Sequence, residues 1–227
     1  MNRSQSLAAL ASIWLALAPT AGLAATVADW RADLDTLVKD VELIHPNAFS
    51  KTGRLAFLQQ AEALKADLPG LTEEQRTVRA MRLIAAIGDG HSQLEPDNPA
   101  FALWYPIRLY QFSDGYFITA AHTSVADLAG AQVLEIGDRP VAEAARDARS
   151  LVGADNPFGA KEALHTLSDA GLMQGLGYAT ADGALRIKVR LTNGKVVERL
   201  LAPRRTDDKR YDKDDATGTL TLMREIT

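Results

Sequence analysis

The sequence contains no cysteine. This excludes a disulfide framework, a thiolate nucleophile and a lipid-modified cysteine behind a leader. No block of basic residues stands out either. The 25 Lys and Arg are set against 29 Asp and Glu, for a formal charge of −4. A nucleic-acid or anionic-membrane partner therefore has no electrostatic footprint here. The chain has four histidines, none spaced H-x-x-x-H or H-E-x-x-H, so no metal is expected on a helix. Gly-x-Ser-x-Gly and Ser-x-x-Lys are both missing, so the residues alone offer no recognisable serine nucleophile. No cofactor-binding motif is read.

What remains is an ordinary globular composition, 47% hydrophobic and 24% charged. The N-terminus is the exception. Arg3 precedes an apolar run from Leu7 to Ala18, Pro19 and Thr20 break it, and Gly22-Leu23-Ala24 offers small residues for cleavage. Residues 1–25 are expected to be a signal peptide, which places the product in a periplasm or outside the cell. No later stretch is apolar enough to span a bilayer.

Residues 27 to 92 carry a helical period. Trp30, Leu34, Leu37, Val38, Val41 and Ile44 form one stripe, stopped at His45-Pro46 because a residue before proline is pushed out of the α region. Leu55, Leu58, Ala61, Leu64 and Leu68 form a second stripe. Thr72 and Gln75 make a capping box for a third helix, with Val78, Met81, Ile84 and Ala85 inward. Gly88 stands where a left-handed helix terminator belongs.

Past Pro99 the period changes to two. Residues 107 to 112 and 116 to 121 read as a hairpin, and 131 to 136 as a further strand ending in Gly137-Asp138-Arg139-Pro140. Residues 142 to 151 and 158 to 176 read as helices. Leu185 to Leu191 alternates cleanly, with Arg186, Lys188 and Arg190 on the solvent face, and pairs through Asn193-Gly194 with Val196 to Leu201. Residues 204 to 215 are dense in charge and read as a linker. Leu220, Leu222 and Met223 suggest a strand with nothing after it to join.

One short stretch concentrates chemistry. The run from Ile84 to Pro96 breaks from apolar residues into Gly88-Asp89-Gly90-His91-Ser92. Two glycines beside a histidine either end a helix or bring an imidazole close to another surface as a base. Ser92 is adjacent to His91, and neighbours on an extended chain point to opposite sides, so the pair is not expected to act as a dyad.

Three segments resemble the secreted C-terminal-processing, or tail-specific, serine protease family. "VELIHPNAF" is similar to its first helix ending in His-Pro-Asn. "RLIAAIGDGHSQL" is similar to its Asp-Gly-His-Thr element, with Ser92 in place of Thr. "YPIRLYQFSDGYFITAA" with "LAGAQVLEIGDRPVAEA" resembles its PDZ-like segment. The resemblance implies an α+β fold: a helical bundle followed by a PDZ-like small β-barrel or sandwich with helices. Residues 26–98 would be the helical domain and 99–203 the PDZ-like domain. Residues 204–227 would be a charged linker or the truncated start of a catalytic domain.

In branches of that family with a Ser-His-Glu arrangement, the base role falls on His91; in Ser-Lys branches His91 is structural. The nucleophile domain that follows in the family is not seen in this sequence. The reading is thus the substrate-recognition part of a serine peptidase, inactive by itself, with a separate catalytic domain as a partner. The PDZ-like segment would take a polypeptide substrate or extended peptide by strand addition at Tyr116, Phe117, Ile118 and Thr119, beside a helix near Lys161 to Met173. The alternative is a stand-alone PDZ-like peptide-binding module of the cell envelope; a purely structural envelope protein is a third.

Overall fold

The structure is a computed structural model that describes residues 25–96, 99–156, 163–205 and 219–221. Three helices come first. Helix α1, Val27–Ile44, opens on a capping box in which Thr26 and Asp29 satisfy each other's backbone N–H groups. It ends at His45, which is extended, as the following Pro46 requires. Helix α2 is Arg54–Asp67 and helix α3 is Glu73–Ala85, the latter with the expected Thr72–Gln75 capping box. Leu34, Phe57, Ala61, Leu64, Leu68, Ala80, Leu83 and Ile84 are buried together between them.

Two stripe residues expected inside are exposed. Leu55 lies in the first turn of α2, where Phe57 takes the inward position instead, and Ile44 is 76% exposed at the end of α1. Among the described residues, no helix is long and apolar enough to cross a membrane.

The second half is an antiparallel sheet with helices on it. Its strands are β1 Leu103–Trp104, β2 Ile107–Phe112, β3 Gly115–His122, β4 Gln132–Ile136, β5 Arg139–Pro140, β6 Leu185–Arg190, β7 Val196–Leu201, β8 Arg204–Arg205 and β9 Thr219–Thr221. The main sheet runs β2-β3-β4-β6-β7, with β5 beside β4 and β9 beside β3; β1 and β8 pair separately. The ends of that order do not meet, so the small barrel expected from the sequence is an open sheet instead.

The β4–β5 turn puts Gly137 and Asp138 both at positive φ, the geometry of a type I′ hairpin. Any side chain at Gly137 would also overlap the Tyr178 carbonyl. On β6 the apolar residues are buried, and the basic row meets partners on the solvent side: Lys188 with Glu135 at 3.1 Å and Arg190 with Gln132 at 2.6 Å.

Helix α4, Val141–Arg149, covers the sheet and buries Val141, Ala144, Ala145 and Ala148 against it. The single helix expected over 158 to 176 is different in the part described. A 3₁₀ segment, Ala163–Ser168, is followed by α5, Ala170–Gly175. Asp169 divides them, because its carboxylate accepts the Leu172 N–H and so starts a new helix.

The end of the chain brings two further corrections. Arg204 and Arg205, read as linker, pair with β1. Leu220, read as having nothing to join, pairs backwards with Ala121 of β3. Residues 206–218 and 222–227 lie outside the described residues.

Candidate active site

The break after α3 folds into a tight loop centred on Asp89. Gly88 takes φ +77°, a left-handed turn that favours glycine, as expected from the sequence. Asp89 then collects three donors. Its Oδ1 accepts the His91 N–H at 3.1 Å, and its Oδ2 accepts the Ser92 hydroxyl at 2.8 Å and His45 Nε2 at 3.2 Å. The His91 N–H, then the Ser92 hydroxyl, then His45 hold the Asp89 carboxyl well below the usual carboxylate range.

The network also assigns the proton on His45. Its Nδ1 accepts the Asn47 N–H at 3.1 Å, so the neutral ring carries its proton on Nε2 and donates it to Asp89. The proline that ends α1 therefore serves the site, because it turns the chain so that His45 faces the next loop.

Three further side chains bond the same loop. Lys51 Nζ donates to the carbonyls of Gly88 and Ala154. Gln93 Nε2 donates to the Gly90 carbonyl at 2.9 Å. Asp155, beyond α4, accepts the Gly90 N–H at 3.2 Å. Gly153 packs so closely on the Asp89 backbone that a Cβ there would overlap the Asp89 carbonyl oxygen.

The His91 side chain stands outside this network. It is 92% exposed, with Nδ1 3.5 Å from Asp89 Oδ1 and 4.0 Å from Asp155 Oδ2. Among the described residues no hydroxyl bonds to its ring. Ser92 gives its hydroxyl to Asp89, and the segment is a turn, not the extended chain on which the sequence reading placed the two side chains. Ligand-type atoms of Asp89, His91 and Asp155 lie within 4.8 Å of one another, a spacing a divalent cation tolerates.

Beside the imidazole runs an open cleft of about 370 Å³. Its walls are Leu37, Val41, Ile44, Ile84 and Ile87, with His45 and His91 at the rim. A second cavity of about 300 Å³ lies where Met81 and Leu94 face Phe101, Leu151 and Leu172, with His165 and Asp169 on its wall.

The four residues expected to take a peptide strand are placed differently from the sequence reading. Tyr116 and Phe117 pair with Gln111 and Tyr110 on one side and with Val133 and Gln132 on the other. Ile118 pairs with Leu109, donates its N–H to Ala131 and accepts from Gly130. Thr119 sits at the bulge opposite Arg108 and Leu109. Strand β3 is thus an inner strand, and strand addition at Tyr116–Thr119 meets no open edge. The helix near Lys161 falls partly outside the described residues. Sequence reasoning also missed Lys51 and Asp155, and assigned no role to Asp89 or His45 although it quoted both.

No protein-family model matches the chain, and no curated protein matches it. Solved structures do. The fold resembles that of CPAF, a chlamydial secreted serine protease. A serine-to-alanine mutant of CPAF superposes with a TM-score of 0.58 at 16% identity, over 79% of this chain and 34% of that one. Mature CPAF complexed with lactacystin gives 0.57 at 17% identity, over 78% and 35%. Mature CPAF alone gives 0.51 at 15% identity, over 78% and 34%. The likeness shows a shared fold, and the chain spans about a third of the length of the structures it matches.

Proposed function

We propose that this chain is the N-terminal, substrate-recognition portion of a secreted serine peptidase of the tail-specific type, and that His91 is its general base. The observation that carries the reading is the state of that imidazole. A rigid loop, tied down through Asp89, Lys51 and Asp155, presents a ring that is itself almost wholly open. A structural histidine is normally enclosed by the groups it bonds. A base that must meet a hydroxyl from elsewhere has to stand free on a fixed support.

The likeness in fold to a serine protease supports the same reading. In it the nucleophile and its oxyanion donors come from a part of the peptidase outside this chain, and His91 takes the hydroxyl proton as that oxygen attacks the substrate carbonyl. The apolar cleft beside His91 would receive substrate side chains, and the sheet half, PDZ-like in this reading, would hold the chain to be cut. Residues 1–25 would direct the product out of the cytoplasm.

Cleavage of casein and of a quenched peptide tests this. The chain alone is expected to release no product. Joined to the nucleophile-bearing part, it should turn over, and His91→Ala should lower that turnover by about 10²- to 10⁴-fold, the range of general-base catalysis. Turnover that survives His91→Ala would remove the base from its role.

A further inference from the structure

Strand β3 is interior, but the sheet has a free edge elsewhere. At one end of the strand order, β2 is covered. Ser168 of the 3₁₀ segment donates its hydroxyl to the Ile107 carbonyl at 2.7 Å, and Arg149 of α4 donates to Gln111. At the other end stands β7. The Leu191 N–H donates to the Lys195 carbonyl at 2.9 Å, which fixes the phase of the β6–β7 ladder. Val197, Arg199 and Leu201 bond inward to β6, so the N–H and C=O groups of Val196, Glu198 and Leu200 point outward. Among the described residues those N–H groups have no partner, and a side chain takes only the Glu198 carbonyl. Arg199 Nη1 donates to it at 3.0 Å, while Nη2 holds Asp127 at 2.9 Å. A carbonyl has two lone pairs, so this contact pins the strand and leaves the acceptor open to a second donor.

The side chains along this edge carry a pattern. Val196 and Leu200 are 46% and 62% exposed, and Glu198 stands between them on the same face. Lys188, directly across on β6, is bonded to Glu135 at 3.1 Å, and among the described residues the Glu198 carboxylate has no partner. A second copy of the chain is a poor occupant. Two-fold pairing of β7 with itself sets one residue opposite its own copy. In the middle of the strand that residue is Glu198 or Arg199, so like charges meet.

We propose that the outer edge of β7 takes an extended segment of another polypeptide by strand addition, and that Glu198 selects a segment with a basic residue between apolar ones at alternate positions. Main-chain bonds at Val196, Glu198 and Leu200 supply the affinity, and the cross-strand charge pair at Glu198 supplies the choice. The binding stands apart from the peptidase reading, since no cleavage enters it.

Amide spectra of the ¹⁵N-labelled chain, titrated with the capped peptide Ser-Val-Thr-Lys-Thr-Val-Ser, are the test. The amide protons of Val196, Glu198 and Leu200 are expected to move downfield and to exchange more slowly. Those of Val197, Arg199 and Leu201, already bonded to β6, should change little. A peptide with Glu in place of Lys should bind about two- to fivefold more weakly, the size of a cross-strand charge pair. Glu198→Gln should remove that preference, and Glu198→Lys should reverse it. No change at the outward amides overturns the proposal. So do shifts centred on Leu109 and Gln111, which put the peptide on β2. Outward amides that move when the chain is concentrated without peptide overturn it as well, because the occupant is then a second copy. A preference unaltered by Glu198→Lys overturns the role of Glu198. A chain that cleaves nothing leaves the result standing.

Discussion

Asp89 and His91 differ in what they do for the molecule, and their substitution should separate the two. The ring of His91 touches little, so His91→Ala is expected to change folding stability by no more than about 0.5 kcal/mol in a denaturant titration. Asp89 holds the loop. Its pKa is depressed in the folded state, so the stability it contributes is present above the ordinary carboxyl value and is lost as pH falls through and below it. The backbone amides of His91 and Ser92 should therefore lose protection from hydrogen exchange below about pH 4, where an unfolded aspartate begins to protonate. Asp89→Asn should flatten that dependence. Unchanged acid sensitivity in the variant would show that another group controls the loop.

At the scale of elements, what was legible in the sequence was local. Helices α1 and α3 were readable because their apolar period and their stop and start signals lie within a few residues: the proline after His45 and the Thr72–Gln75 box. Thr72→Ala should accordingly cost about 1 kcal/mol of stability. The β6–β7 hairpin was readable for the same reason, its alternation being unbroken. What failed was set by distance. Asp169 is the exception, a local cap three residues from Leu172 that the continuous apolar run hid, whereas nothing near Leu220 shows that its partner is Ala121. The candidate site shows the same split. The Gly-Asp-Gly-His run stood out by its own residues, whereas Asp155 and Lys51 have no local signal and come to the loop only when the chain folds back. Gly153 makes that return contact close enough to test. Gly153→Ala would press a methyl into the Asp89 carbonyl and should cost about 1–3 kcal/mol, as overpacking does. The His91 and Ser92 resonances should shift in the same variant.

At the scale of the whole molecule, the change of period near residue 98 suggested two domains, but the side chains do not respect that boundary. Val78 and Met81 of α3 share one buried cluster with Phe101, Leu151 and Leu172. Helix α3 and helix α5 approach so closely that a Cβ at Gly175 would overlap the Glu74 carbonyl. Arg82 extends the contact, donating through Nε to Ser150 Oγ at 2.9 Å and lying 3.7 Å from Asp147. Asp147 in turn accepts from Tyr178, whose ring lies 3.4 Å beneath the Arg139 guanidinium; burial and that hydrogen bond push the phenol up. The Asp89 loop is bonded from both halves, by Lys51 and by Asp155. Native-state hydrogen exchange across a denaturant series is the measurement. The most protected amides of α3 and of β6 should converge on one opening free energy, as in a single cooperative unit. Leu172→Ala, which hollows the shared cluster, should lower both by the same amount, about 2–5 kcal/mol. If the α3 amides lose protection while those of β6 keep theirs, the halves are separate domains and His91 is steadied by its own bundle alone.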